Sequence, residues 1–96
     1  MPSDTRRKQI QQAEMERLGA LLREARESAG LLQRDLAKAL GRPQQYVSQY
    51  ETGGHRLDIW ELGEVSRALG LPLGEVVRRY EAAAGRRAGP RSAPRR

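Results

Sequence analysis

Residues 33–53 read QRDLAKALGRPQQYVSQYETG, two short segments of helical character on either side of a glycine and a proline. The first segment ends at Gly41, a residue that readily adopts the left-handed conformation found after a helix. In the second segment, Val47 and Tyr50 lie on one side of a helical wheel. The opposite side is polar but uncharged, and consists of Gln44, Gln45, Ser48 and Gln49.

Three residue types in this stretch suit two helices that cross at a tight angle. Ala37 allows the second helix to approach, Gly41 supplies the turn, and Val47 packs from the second helix into the notch. This order of helix, tight turn and helix is the DNA-binding arrangement whose second helix lies in the major groove. A carboxamide can bond adenine bidentately there. The alternative is a solvated helix face that happens to use glutamine.

Apolar residues recur at helical spacing in the rest of the chain, and no segment alternates with the period of a strand. The pattern predicts a first helix over about residues 8–29. A fourth helix should start at Asp58, which with Glu61 resembles a capping box, and a fifth should follow Pro72. The apolar faces of the last two helices consist of Ile59, Leu62, Val65, Leu69, Leu73, Val76, Val77 and Tyr80.

Length and composition limit the classes of protein to which this chain can belong. A length of 96 residues suits one small domain, and the absence of cysteine excludes a disulfide scaffold. No apolar run is long enough to span a membrane, and the polar start is not a secretory signal. The chain has one histidine, His55, and no nucleophile–base set. We therefore expect no enzyme, no metal site and no cofactor, in a cytoplasmic protein.

The basic and acidic residues are unevenly distributed along the chain. Five of the 18 Lys/Arg residues lie in residues 82–96, which contain no acidic residue, so the remainder carries 13 basic against 12 acidic residues. We expect a polar arm or helix extension over residues 1–9, a helical domain over 10–84 with its helix-turn-helix at 33–52, and a disordered Arg-rich tail over 85–96. The basic tail suits a polyanion such as nucleic acid.

On these residues, QRDLAKALGRPQQYVSQYETG together with SRALGL at 66–71, the segment 18–81 resembles the Cro/C1-type (XRE) helix-turn-helix family. The resemblance implies an all-α fold, a five-helix lambda-repressor-like bundle. It also implies that an arginine of the first helix, Arg26, pairs with the glutamate that ends the third, Glu51, and so orients the recognition helix. Where the family usually has a capping Ser or Thr, this chain has Leu32, so we expect amides free for a DNA phosphate at that helix end.

Family residues map onto this chain position by position. The resemblance implies that Gln33 braces the recognition helix and reaches DNA. The bases would be read by Gln33, Gln44, Gln45, Ser48 and Gln49. We expect the DNA backbone to be contacted by Arg42, Tyr46, Thr52, His55 and Arg56.

The predicted function is that of a sequence-specific transcriptional regulator, a repressor that binds double-stranded DNA at a palindromic operator as a homodimer. Its setting would be the bacterial or phage nucleoid. The alternative is an antitoxin-type or adaptor protein that binds a partner protein as well as DNA, with the tail folding on that partner. Trp60 and Tyr80 are expected in the core or in a dimer interface.

Overall fold

The computed structural model describes residues 2–85, with side chains from Asp4 onward. This part of the chain contains no strand, and the expected five-helix, all-α fold is confirmed. None of these helices is apolar enough over a sufficient length to cross a bilayer. The predicted tail lies, apart from Gly85, outside the described residues. The helices are α1 (Pro2–Ser28), α2 (Gln33–Leu40), α3 (Gln44–Glu51), α4 (Ile59–Ala68) and α5 (Leu73–Ala83).

Helix α1 begins at Pro2, earlier than the start near residue 8 that its apolar pattern predicts. Of the two expectations for residues 1–9, a polar arm or a helix extension, residues 2–9 form the extension. The extension has Pro2 at its start, a position that suits proline, and Asp4 in its first turn, where a negative charge favours the helix dipole. At the other end Gly30 has φ 75°, and the Leu31 N–H donates to the Arg26 carbonyl at 3.1 Å. This left-handed turn ends the helix.

Each helix contributes a fully buried aliphatic side chain to one central core. These side chains have no exposed surface, and they are Leu22, Leu36, Val47, Val65 and Val76, in helix order. Helix α1 packs against α3 and α5, α2 packs against α3 and α4, and α4 packs against α5. Because one core joins all five helices, the position of α3 depends on the packing of the whole domain.

The turn between α2 and α3 places the two helices against each other. Ala37 is 3 % exposed, and Gly41 adopts φ 67°. The Arg42 N–H donates to the Ala37 carbonyl at 3.0 Å, which closes the end of α2. Pro43 then precedes the first residue of α3 with φ −64°. The chain therefore reverses within three residues, as a tight helix-turn-helix requires.

The start of α4 has the predicted cap but not the predicted burial. The Glu61 N–H donates to Asp58 Oδ1 at 2.7 Å, and the Asp58 N–H donates to Glu61 Oε1 at 3.0 Å, so the capping box is confirmed. Ile59 and Trp60, however, are 69 % and 68 % exposed, so the expectation of a core position is wrong for Ile59, and of the two places expected for Trp60, the core and a dimer interface, the core is excluded. They lie in the first turn of α4, ahead of the part of that helix that reaches the core.

Tyr50 carries an unpaired hydroxyl into this core. The residue is 2 % exposed, its ring packs edge-on to Tyr46 with centroids 5.5 Å apart, and its hydroxyl has no hydrogen-bond partner among the described residues. An unsatisfied buried polar group costs about 1–3 kcal/mol. Tyr50→Phe keeps the ring and removes that cost, so we expect the free energy of unfolding to rise by about 1 kcal/mol. Thermal or urea denaturation would measure it.

The matched control is Tyr80→Phe, because the Tyr80 hydroxyl donates to Glu14 and its removal should destabilise the domain. Burial raises the pKa of Tyr50 far above its ordinary value. The folded state therefore holds this proton more tightly, and wild type should lose stability as the pH rises above about 10, the pKa of an unfolded tyrosine. Tyr50→Phe should be spared that part of the loss. A marked destabilisation by Tyr50→Phe would mean that the hydroxyl has a partner.

Candidate nucleic-acid interface

Helix α3 presents the predicted polar face to solvent. Gln44, Gln45 and Gln49 are exposed and Ser48 is half-buried. Val47, on the opposite side, is fully buried. Gln45 and Gln49 are four residues apart and therefore lie above one another on the same face. Four of the five side chains predicted to read bases, Gln44, Gln45, Ser48 and Gln49, thus belong to one uncharged face of α3, and three of these four are exposed.

Gln33, at the start of α2, is joined to the start of α3 by side-chain hydrogen bonds. Gln44 Nε2 donates to Gln33 Oε1 at 3.2 Å. Gln33 Nε2 in turn donates to Glu51 Oε1, at the end of α3, at 3.0 Å. The first residue of α2 therefore bridges both ends of α3, which ties the two helices of the motif together.

Glu51 is also held from α1 by a bidentate pair with Arg26. Arg26 Nε donates to Glu51 Oε2 at 2.7 Å, and Arg26 Nη2 donates to Glu51 Oε1 at 3.1 Å. A third donor, Arg26 Nη1, bonds the Leu31 carbonyl at 2.8 Å. The hydrogen bond to Glu51 raises the pKa of Arg26, against the opposing effect of burial. Since the two side chains are 8 % and 1 % exposed, this is a buried ion pair that links α1 to α3.

Arg42, a predicted phosphate ligand, has two intramolecular partners. Its guanidinium lies 4.5 Å from the centroid of the Tyr46 ring, and its Nη2 lies 3.6 Å from Glu64 Oε1. The side chain nevertheless remains 38 % exposed, so it stays within reach of solvent at the edge of α3. Tyr46 itself is half-buried, and burial, followed by the nearby Glu61 carboxylate, raises its pKa.

The other predicted backbone contacts lie at and after the end of α3. The Thr52 hydroxyl donates to the Ser48 and Gln49 carbonyls at 3.0 and 3.2 Å, so it closes the last turn of the helix. His55 Nε2 lies 3.4 Å from Glu61 Oε2, and Arg56 is exposed. Thr52 therefore lies at the C-terminal end of α3, and His55 and Arg56 follow it in the loop that leads to α4.

At the start of α2, one expectation needs correction. Leu32 has no side-chain acceptor, but its N–H is not free for a phosphate, because Asp35 Oδ2 accepts it at 2.9 Å. The half of a capping box in which the third helical residue accepts the N–H of the cap residue therefore forms without a Ser or Thr at the cap. The Asp35 carboxylate also places a negative charge at a helix end where an anion was expected to bind.

Two residues that position the site were missed by the sequence reading. A Cβ built on Gly19 would lie 2.7 Å from the Glu51 carbonyl oxygen and closer still to that of Tyr50, so only glycine lets α1 approach α3 at this point. Gln12 Nε2 donates to the Gly53 carbonyl at 3.1 Å and holds the turn after α3. A glycine inside a helical pattern is the one signal that could have drawn attention to Gly19.

Comparison with known proteins agrees with this geometry. A family model described as a helix-turn-helix domain matches residues 17–80. An XRE-family-like protein from Pseudomonas syringae has a similar structure, with 40 % identity, a TM-score of 0.70, and coverage of 78 % of this chain and 92 % of that one. The clp gene regulator ClgR from Corynebacterium glutamicum is also similar, with 35 % identity, a TM-score of 0.67, and coverage of 75 % and 88 %.

Among curated relatives, human endothelial differentiation-related factor 1 is 36 % identical over 56 residues, which is 58 % of this chain. The match spans 38 % of that relative's length. The similarity is therefore confined to one segment and does not cover the whole of the longer protein.

Proposed function

The chain belongs to the helix-turn-helix family of XRE-type DNA-binding regulators, and on this premise we propose that it is a transcriptional repressor that binds a palindromic operator as a homodimer. Helix α3 is its recognition helix. The proposed base-reading residues are Gln33, Gln44, Gln45, Ser48 and Gln49, and the proposed backbone contacts are Arg42, Tyr46, Thr52, His55 and Arg56. The protein would act at the nucleoid, in the cytoplasm.

One observation carries the proposal, the exposed and uncharged amide face of α3. Gln44, Gln45 and Gln49 are exposed to solvent, whereas Val47 of the same helix is fully buried. Amides can donate to and accept from base edges, and they lack the charge that phosphates would repel. Arg42 precedes α3 in the chain and Arg56 follows it, and both are exposed cations of the kind that contacts the sugar-phosphate strands.

Dimerisation is supported by an apolar groove away from α3. The groove has a volume of about 220 Å³ and lies between α1, α4 and α5, and its lining includes Met15, Leu18, Leu62, Val76 and Val77. A second copy packed over it would exclude this apolar surface from water. Two recognition helices could then enter successive major grooves, about 34 Å apart, on a two-fold symmetric site.

A selection from random duplex DNA would test this proposal. The full chain should enrich one motif with two inverted half-sites whose centres are about 10–10.5 base pairs apart. Recovery of a motif without inverted symmetry would contradict the homodimer. The same operator inserted at a promoter, with and without the protein, would separate repression from activation.

Gln44→Ala should weaken binding to the selected operator by about 1–3 kcal/mol and relax the preference at one base pair of each half-site. The reason is that alanine removes both the donor and the acceptor that meet one base. Titration of cognate and random duplexes at one fixed salt concentration would measure the effect. Equal losses on both duplexes would exclude a base-reading role for Gln44.

An adaptor or antitoxin-type protein that binds a partner as well as DNA is the second candidate. The exposed Ile59–Trp60 pair at the start of α4 favours it, because two adjacent large apolar side chains in solvent are typical of protein contacts. Trp60→Ala should then abolish binding of that partner and leave the selected DNA motif unchanged. Loss of operator binding together with the partner would instead place Trp60 in the homodimer.

A further inference from the structure

Resting on the proposed function, we infer that Glu64 competes with the DNA phosphates for Arg42, and so weakens the binding of any DNA by this protein. Glu64 belongs to α4, outside the two helices of the motif, and Arg42 lies in the turn between those helices. The carboxylate therefore acts as an internal substitute for a phosphate. Three features support this role: the position of the Arg42 side chain, the charge that Glu64 brings to it, and the exposure of the pair.

The first feature is the position of the Arg42 guanidinium. Arg42 follows Gly41, the C-cap of α2, and precedes Pro43, the N-cap of α3. Its guanidinium lies 4.5 Å from the centroid of the Tyr46 ring, in the first turn of α3, and Tyr46 is itself half-buried. A cation over an aromatic face is attracted to it. The ring therefore holds this charge beside the start of the proposed recognition helix.

The second feature is that this charge is already compensated within the protein. Arg42 Nη2 lies 3.6 Å from Glu64 Oε1. A carboxylate and a phosphate both present anionic oxygens that suit a guanidinium. Either Arg42 leaves Glu64 to reach a phosphate, or the Glu64 charge comes close to that phosphate, and both outcomes weaken DNA binding.

The third feature is that the pair is open to exchange. The Arg42 and Glu64 side chains are 38 % and 31 % exposed, and the two atoms are farther apart than in a charge-assisted hydrogen bond. Exposed ion pairs of this kind are weak, so a phosphate can displace the carboxylate. The Arg26–Glu51 pair differs, because it is buried and bonded at 2.7 Å. Glu64 therefore restrains Arg42 without fixing it.

Arg56 provides a comparison within the same proposed interface. It is exposed and forms no ion pair with any of residues 4–85. Each phosphate neutralised by a free cation adds about 0.9 to the slope with which log K falls against log salt concentration. Arg56→Ala should therefore reduce this slope by about 0.9, and Arg42→Ala by roughly half as much. The difference arises because the carboxylate that Arg42 leaves behind attracts a cation from solution.

The experiment compares Glu64→Gln with the full-length wild type on the selected operator and on random duplex DNA. Glutamine keeps the size of the side chain and removes the competing charge. Both affinities should rise about two- to five-fold, as the loss of a weak exposed pair allows, and the salt slope should steepen by about 0.5.

Glu24→Gln is the matched control. It removes the same charge from an exposed residue of α1 that forms no ion pair with any of residues 4–85. Because charges on the surface are screened by salt, it should change either affinity by less than about 1.5-fold. Equal gains in E64Q and E24Q would show that only the net charge matters, and would overturn the inference.

A double-mutant cycle tests whether Glu64 acts through Arg42. Arg42→Ala should cost about two- to five-fold more affinity in the E64Q background than in the wild type, because Arg42 is then free to meet a phosphate. Equal costs in the two backgrounds would mean that the side chains act on DNA independently, which overturns the inference. Thermal denaturation checks that each variant is folded. Should E64Q be unfolded, E64A replaces it, since alanine also removes the charge and suits a helix.

A lower affinity of E64Q than of the wild type also overturns the inference, because Glu64 would then position Arg42 for its phosphate. In all these cases the proposed function stands, provided that the wild type enriches the expected motif. Failure of the wild type to enrich any motif overturns the proposed function instead.

Discussion

Gly19→Ala should cost about 3 kcal/mol or more of folding free energy, a large part of the stability of a small domain. The added Cβ would lie 2.7 Å from the Glu51 carbonyl oxygen and closer to that of Tyr50. Both neighbours are backbone atoms of α3 and cannot rotate away as a side chain could. The clash therefore has to push α1 and α3 apart, at the centre of the core, and urea denaturation would measure the loss.

Gly74→Ala is the matched control. Gly74 also belongs to a helix, as the second residue of α5, but a Cβ built on it meets no atom within 4 Å. Alanine is favoured over glycine in a helix by about 0.5–1 kcal/mol, so this variant should be slightly more stable than wild type. If both glycine variants behaved alike, the close approach of α1 to α3 would not be what requires Gly19.

Arg26→Ala should destabilise the domain by about 3–5 kcal/mol, because it leaves the Glu51 carboxylate buried without its cation. It also removes the donor to the Leu31 carbonyl between α1 and α2. Chemical denaturation would measure the change in stability, and weakened operator binding should accompany it since Glu51 supports Gln33.

Two further variants show whether the instability comes from losing an ion pair as such or from leaving one charge buried without a partner. Arg23→Ala breaks an ion pair with Glu27 that is exposed on both sides, and it should change stability by less than about 0.5 kcal/mol. Arg26→Met combined with Glu51→Leu removes both buried charges and should recover much of the loss, since an apolar pair needs no partner. If the double variant were as unstable as Arg26→Ala, packing around Arg26 would matter more than the unpaired carboxylate.

Much of the fold could be predicted because helix ends carry local signals. Gly30 and Gly41 end α1 and α2, and Asp58 with Glu61 begins α4, all through contacts within a few residues. The start of α1 was predicted less well. Its first turns are polar and exposed, so no apolar face indicates whether the helix continues.

Burial at the start of α4 could not be predicted in the same way. Ile59 continues the apolar spacing of Leu62 and Val65, yet it is 69 % exposed whereas Val65 is fully buried. Spacing assigns residues to a face of a helix, but it does not say how far along the helix its neighbours extend. That limit is set by where α2 and α5 pack against α4.

By itself, the sequence determined that five helices form and that the third has an uncharged amide face, since both follow from periods of a few residues. Only the tertiary structure decided how those amides are held. Gln33 and Glu51 are 18 residues apart, and Arg26 and Glu51 are 25 apart. Such contacts depend on how helices cross in the folded core, and no local spacing in the chain encodes the direction in which an amide donates.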